Sequence, residues 1–150
     1  MTTWIPVTGI DHIYIAVSDM KRSEQFYDIL FLSVLGFRKN AFFIEKDPHI
    51  HYYNRLFGYV LRPARMFRQH DSYAPGLHHL CLRVDSIEDV HSVAQLLQEA
   101  GIASAQPAHF PEYAPDYWAT WFTDPDDLRI EITNYRDERR RRHDHWNELG

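Results

Sequence analysis

GIDHIYIAV, residues 9–17, and GLHHLCLRV, residues 76–84, decide the fold, because the chain writes nearly the same strand twice. Gly9, Ile10, His12, Ile13, Ile15 and Val17 match Gly76, Leu77, His79, Leu80, Leu82 and Val84 at one constant offset. β-Branched and other large apolar residues favour a pleated strand. A histidine inside such a strand is ordinarily a satisfied core residue, so one copy alone means little. A repeat has to be settled before any fold is assigned.

The match continues past each strand. Ser18-Asp19 and Asp85-Ser86 are helix N-cap residues, whose side-chain oxygens accept free backbone N–H groups. Met20, Ser23, Phe26, Tyr27 and Leu30 then keep helical spacing, as do Ile87, Val90, Ala94 and Leu97. Gly36 in VLGF and Gly101 in EAGI stand where helices stop. Strand-like pieces follow: GFRKNAFFI, HIHYYNRLF and GYVLR in the first copy, IASAQPAHF, YWATWFT and LRIEIT in the second. TDPDD (123–127) has the composition of a tight turn between strands. The unit therefore reads β-α-β-β-β, twice. The fold class is α+β, with two βαβββ modules at about 8–66 and about 76–134 in a single domain over 1–134. Residues 135–150 form a charged tail that reads as a fraying helix or disordered end, with Trp146 available to dock on a neighbouring chain.

Composition narrows the function classes. The 150 residues suffice for one domain with a real core. A net charge of −5 gives no general attraction for nucleic acid, and the acidic neighbours of Arg139–Arg142 argue against it in the tail. No apolar run is long enough to span a bilayer, and Met1–Pro6 lacks a leader pattern. With Cys81 the only cysteine there is no disulfide framework, and the cytoplasm is the expected compartment. The aromatic share of 15% is high enough to line a ligand pocket as well as a core.

Strand alternation places the chemistry. Ile13, Ile15 and Val17 share one face of the first strand, and His12, Tyr14 and Ala16 the other. In the second copy Leu80, Leu82 and Val84 oppose His79, Cys81 and Arg83. In LRIEIT, Leu128, Ile130 and Ile132 oppose Arg129, Glu131 and Thr133. Each strand keeps an apolar face for a helix and carries one ligand-type side chain on the other. A carboxylate between two isoleucines is costly to bury unpaired, so Glu131 calls for a cation or a proton. Two imidazoles and a carboxylate suit a divalent ion with open positions, which can polarise a carbonyl or activate water or oxygen.

These stretches, with TDPDDLRIEI, resemble the vicinal oxygen chelate superfamily, which groups glyoxalase, bleomycin-resistance and extradiol-dioxygenase proteins. The resemblance covers roughly residues 8–134. It implies a curved half-barrel sheet with helices outside and a site held by His12, His79 and Glu131, with Glu131 also catalytic. The ion would be Fe, Zn, Ni, Mn or Co. The activity implied is that of a lyase, isomerase or dioxygenase on a small molecule with vicinal oxygens. The alternative is a metal-free binding or resistance protein. Family analogy also suggests a homodimer, without nucleic-acid or membrane partners. Many relatives take a fourth ligand from the fourth strand; in GYVLRP the register offers Tyr59 or Leu61, neither a usual ligand. Tyr14, Tyr59, Tyr113 and Tyr117 are the expected substrate contacts, the last two from the loop HFPEYAPDYW (109–118), where Asp116 is a further candidate. His49 and His51 share a strand face from which one can supply the missing ligand or a proton, whereas a solvated edge is the plainer reading. His78 is expected to pack or cap on the face opposite His79. Arg62, Arg65 and Arg68 read as a solvated basic loop.

Overall fold

The computed structural model describes residues 3–149 and divides into two compact units, Met1–Arg68 and Gln69–Gly150. Met1, Thr2 and Gly150, which belong to the leader and tail expectations, lie outside the described residues.

In unit 1, β1 (His12–Val17) leads into α1 (Met20–Tyr27). Asp19 caps α1 by accepting the Arg22 N–H at 3.0 Å. The sequence spacing reads as one helix through Leu30, but the α-helix ends at Tyr27 and continues as a π-helical segment, Asp28–Val34. There the Leu35 N–H reaches back to the Leu30 carbonyl at 3.0 Å. This wider winding puts Leu30 and Phe31 side by side in the core. Gly36 closes the segment at φ 67°, a conformation cheap only for glycine. Three strands follow: β2 (Arg38–Ile44), β3 (Asp47–Tyr53) and β4 (Gly58–Pro63).

The sheet order is β1-β4-β3-β2, with β1 parallel to β4 and the other pairs antiparallel. Tyr27 and Phe31 pack on Tyr52 and Tyr59 with ring centroids 4.9–6.3 Å apart. A polar clamp closes the rim of this core. Lys39 Nζ donates to Asp28 at 2.8 Å and Glu24 at 2.6 Å, and the Tyr52 hydroxyl donates to Asp28 at 2.7 Å. Burial pulls the Lys39 ammonium down, but the two carboxylates outweigh it and hold the group above its ordinary range.

Unit 2 repeats the plan: β5 (Leu80–Val84), α2 (Ile87–Glu99), β6 (Ala108–His109), β7 (Trp118–Thr123) and β8 (Arg129–Asn134), in the order β5-β8-β7-β6. Ser86 and Asp89 form a capping box at the start of α2. Val90, Ala94 and Leu97 face Phe122, Ile130 and Ile132 in a second core. IASAQPAHF yields only a two-residue strand, since Pro107 lacks an N–H for the ladder. Ala105 still holds β7 through its N–H to the Trp121 carbonyl at 2.9 Å. In the turn before β8, Asp124 Oδ1 accepts the N–H of Leu128 at 2.8 Å, and Asp127 stands at φ 66°.

The tail is helical, one of the two states its sequence suggests. Asp137–Asp144 form α3, followed by a 3₁₀ turn at Trp146–Glu148. Asp116 accepts the Asp137 N–H at 2.9 Å, and Arg140 reaches Asp85 at 2.7 Å. The guanidiniums of Arg83 and Arg140 lie 3.7 and 4.1 Å from the Tyr135 ring centroid. Among the described residues no helix is long and apolar enough to cross a membrane.

Candidate functional site

Unit 2 brings three of the expected side chains together. Glu131 is buried in the middle of β8, on the face that turns away from α2. Its Oε1 accepts the Tyr117 hydroxyl at 2.6 Å, and its Oε2 lies 3.2 Å from His79 Nε2. His79 stands one residue before β5. Oε1 is thus satisfied by a hydrogen bond, and Oε2 lies within ion-pair distance of the imidazole. Burial, and then the hydrogen bond to Glu131, push the Tyr117 hydroxyl up from its ordinary range.

His78 does not keep apart from His79 as the alternation suggested. The residue lies before the strand begins, so the period of two does not govern it. Its Nδ1 is 2.7 Å from His79 Nδ1, and its ring meets Tyr73 edge-on at 5.0 Å. One Nδ1 carries the hydrogen and the other accepts it, so the pair fixes the tilt of the His79 ring.

Cys81 pairs with Glu131 across the β5–β8 ladder and shares its face. It keeps solvent-accessible surface, yet the groups around its sulfur strip away water that would stabilise a thiolate. That burial, and then the Glu131 carboxylate, push the thiol up to about 12. It is not an activated nucleophile.

An aromatic wall stands beside this cluster. Trp121 pairs with Glu131 from β7, Phe110 lies 5.6 Å from Trp121, and Tyr113 lies 5.3 Å from Tyr117. Arg136 caps the Tyr117 ring at 4.5 Å. Tyr113 is exposed, whereas Asp116 is engaged in holding α3 and does not serve as a free contact.

In unit 1, His12 and Tyr14 lie on the open face of β1, ring to ring at 5.8 Å. Asp11 Oδ2 is 2.7 Å from His12 Nδ1. His12 and Tyr14 line a recess of about 560 Å³ with His51, Phe57, Gly58 and Val60. The β1–β4 register corrects the expectation for the fourth strand: His12 pairs with Gly58 and Tyr14 with Val60, so Gly58, Val60 and Arg62 share the open face. Tyr59 and Leu61 point the other way and are fully buried. The Tyr59 hydroxyl is 2.9 Å from that of Tyr27, so this residue is core and not a substrate contact.

His49 and His51 are not a solvated edge, because β2 lies outside β3. His49 is buried, its ring stacked on Phe42 at 5.0 Å, with Nδ1 on the Asp47 carbonyl and Nε2 bonded to no described residue. His51 is only partly covered. Burial, and then the neighbouring His12, draw its pKa below the ordinary value. Arg62 ion-pairs with Asp47, and Arg65 lies 3.6 Å from the same carboxylate.

Within either unit, among the described residues, no three His, Cys, Asp or Glu side chains form a set that could hold a metal ion. The residues nevertheless suit one chemically. His12 and His79 each have Nδ1 engaged by a neighbour, the arrangement by which proteins orient an imidazole so that Nε2 can ligate.

The model of the glyoxalase/bleomycin resistance protein/dioxygenase superfamily matches residues 9–132. The chain belongs to this superfamily. Solved structures share the superfamily fold. A glyoxylase/bleomycin resistance protein/dioxygenase domain from Frankia sp. EAN1pec is 22% identical, with a TM-score of 0.72 over 87% of this chain and 100% of that one. FosX, a fosfomycin resistance protein from Listeria monocytogenes, is 14% identical, with a TM-score of 0.65 over 90% and 99%. A lactoylglutathione lyase from Agrobacterium tumefaciens is 15% identical, with a TM-score of 0.64 over 87% and 96%. A mutant of FosX has been solved with Mn(II) and 1S,2S-dihydroxypropylphosphonic acid. No curated protein sequence matches the chain significantly. His78 and Arg136 are side chains beside the expected set to which sequence reasoning assigned no working part, whereas His51 was already a candidate ligand or proton carrier. The doubled HH was the only signal for His78.

Proposed function

We propose that this superfamily member is a divalent-metal-dependent enzyme acting on a small molecule with two neighbouring oxygen atoms. The observation that carries the reading is the His79–Glu131–Tyr117 cluster: a buried carboxylate with one oxygen hydrogen-bonded to Tyr117 and the other beside the His79 imidazole. A passive binding cavity has no need of such a group among apolar neighbours.

In this reading His12, His79 and Glu131 ligate one ion, of Fe, Zn, Ni, Mn or Co. The bound ion supplies Lewis acidity toward the paired oxygens of the substrate. The protein's own groups do the rest. Tyr117 holds Glu131 in one orientation through Oε1, His78 sets the His79 ring, and Asp11 sets that of His12. Glu131 would also be the group of the site able to take or give a proton. Tyr14, Tyr113 and Tyr117 are the proposed substrate contacts. The Mn(II) and vicinal diol in the FosX mutant, and the lyase among the similar structures, support a metal and a small oxygenated substrate. By family analogy the protein is a cytoplasmic homodimer.

The test is the metal content of anaerobically purified protein beside Glu131→Ala. Near-stoichiometric metal, lost in the variant, supports the reading, and its identity selects the assays: iron for oxygen-dependent cleavage, the others for lyase or isomerase reactions. No metal in either protein, even after adding it back, overturns it.

A further inference from the structure

A second recess of about 580 Å³ opens in unit 1, lined by Gly36, Arg38, Tyr53, Asn54, Arg55 and Leu56. Arg38 begins β2 and pairs with Tyr53 at the end of β3, so the two side chains share one face of the sheet. The period of two sends the next residue, Lys39, to the other face, where Glu24 and Asp28 neutralise it. Arg55 comes from the turn between β3 and β4. Asn54 fixes that turn, its Oδ1 accepting the N–H groups of Leu56 at 2.8 Å and Phe57 at 3.1 Å.

The lining is one-sided in charge. It holds two arginines and no acidic residue, on a chain whose net charge is −5. Neither guanidinium bonds to a described residue, whereas Lys39 and Arg62 of the same unit are both ion-paired. Both arginines are exposed, so an anion reaches them from solvent. The turn uses Asn54 Oδ1 and leaves its Nδ2 to donate, and the Tyr53 hydroxyl bonds to no described residue. Two like charges at one recess repel each other until an anion joins them. Two planar guanidinium forks match the charge and the three acceptor oxygens of a phosphate dianion.

We propose that this recess binds the phosphate group of a small organic molecule, held between Arg38 and Arg55. Tyr53, Asn54, Arg55 and Leu56 also line the recess of His12 and Tyr14, so the two recesses adjoin. The body of a molecule anchored here by its phosphate has the space beside His12 and Tyr14 to occupy. The substrate of the activity proposed above is, on this basis, a phosphate ester. That last step rests on the metal-dependent reading; the anion site does not.

The test uses the full chain, stripped of metal so that no ion can hold the phosphate, and titrated calorimetrically with phenyl phosphate at low salt. Saturable binding is expected, weakened about tenfold in Arg38→Gln and again in Arg55→Gln. It should strengthen as pH rises from 5 to 7.5, because the phosphate takes its second charge at about pH 6. Lys46→Gln makes the same change of charge at an exposed residue outside the recess and should leave binding unchanged. Benzoate, a monoanion on the same ring, should bind at least about tenfold more weakly. Absence of saturable binding, wild-type affinity in either arginine variant, an equal loss in Lys46→Gln, or benzoate matching phenyl phosphate overturns the assignment. The metal content of the purified protein is measured separately, so failure of the metal-dependent reading and failure of the anion site are told apart.

Discussion

The Tyr117 hydroxyl donates to Glu131 Oε1 at 2.6 Å, from the end of the aromatic loop to the centre of β8. The bond ties the half-buried end of the aromatic loop to the buried carboxylate. Removing it in Tyr117→Phe frees one carboxylate oxygen to turn. We expect metal affinity to fall about tenfold, the usual effect of losing a partner that orients a ligand. Stability should fall by about 1–2 kcal/mol in urea titrations, because Oε1 stays covered without a donor. Unchanged affinity, measured calorimetrically with Mn(II), would show that this hydroxyl does not position Glu131.

Cys81 offers a probe of the same carboxylate in metal-free protein. Its thiol, raised to about 12, is almost wholly protonated at pH 8. The thiolate fraction is then roughly 10³-fold below that of an ordinary cysteine, partly offset because a more basic thiolate is more nucleophilic. Alkylation by iodoacetamide should run roughly 10- to 100-fold slower than for a free thiol, and the rate should still climb with pH above 10. Glu131→Gln removes a negative neighbour, lowers the thiol pKa and should speed the reaction. A rate typical of a free thiol at pH 8 in the folded protein contradicts this arrangement.

Tyr59 separates packing from function. Its ring lies in the core of unit 1, and its hydroxyl meets that of Tyr27 at 2.9 Å. Tyr59→Phe should cost about 1 kcal/mol of stability and leave Co(II) affinity unchanged. Paired with Tyr27→Phe in a double-mutant cycle, it should show a coupling energy of similar size. Altered metal binding in Tyr59→Phe, with the fold intact, would return the residue to the site.

The repeated strands carried the architecture openly. Apolar alternation around His12 and His79 fixed both strands, and helical spacing with caps at Asp19 and Ser86 placed the helix that follows each. The face bearing His12 and Tyr14, and that bearing Cys81 and Glu131, followed from the same period of two. The register of β4 did not, because GYVLRP is apolar on both faces and only pairing shows that Gly58 opposes His12. The π-helical segment was hidden since DILFLSV has apolar residues on every turn. The tail's docking was not legible in its charge, because it rests on Arg140 with Asp85 and Asp116 with Asp137, contacts remote in sequence. Alternation misplaces His78 because that residue lies two positions before β5 begins.

That residue carries the last prediction. With Nδ1 atoms 2.7 Å apart, His78 and His79 share a single hydrogen, and the Tyr73 ring holds His78 from the other side. When His79 Nε2 binds a metal, its hydrogen has to sit on Nδ1, with His78 Nδ1 as the acceptor. His78→Phe keeps the ring volume near Tyr73 but removes that acceptor, so ligation leaves a hydrogen on His79 Nδ1 facing carbon. We expect metal affinity to fall about tenfold with little change in melting temperature. His78→Asn, which restores an oxygen acceptor, should recover part of the loss. Equal binding by wild type and His78→Phe would reduce the histidine pair to packing, whereas rescue by the asparagine variant alone identifies the acceptor as its contribution.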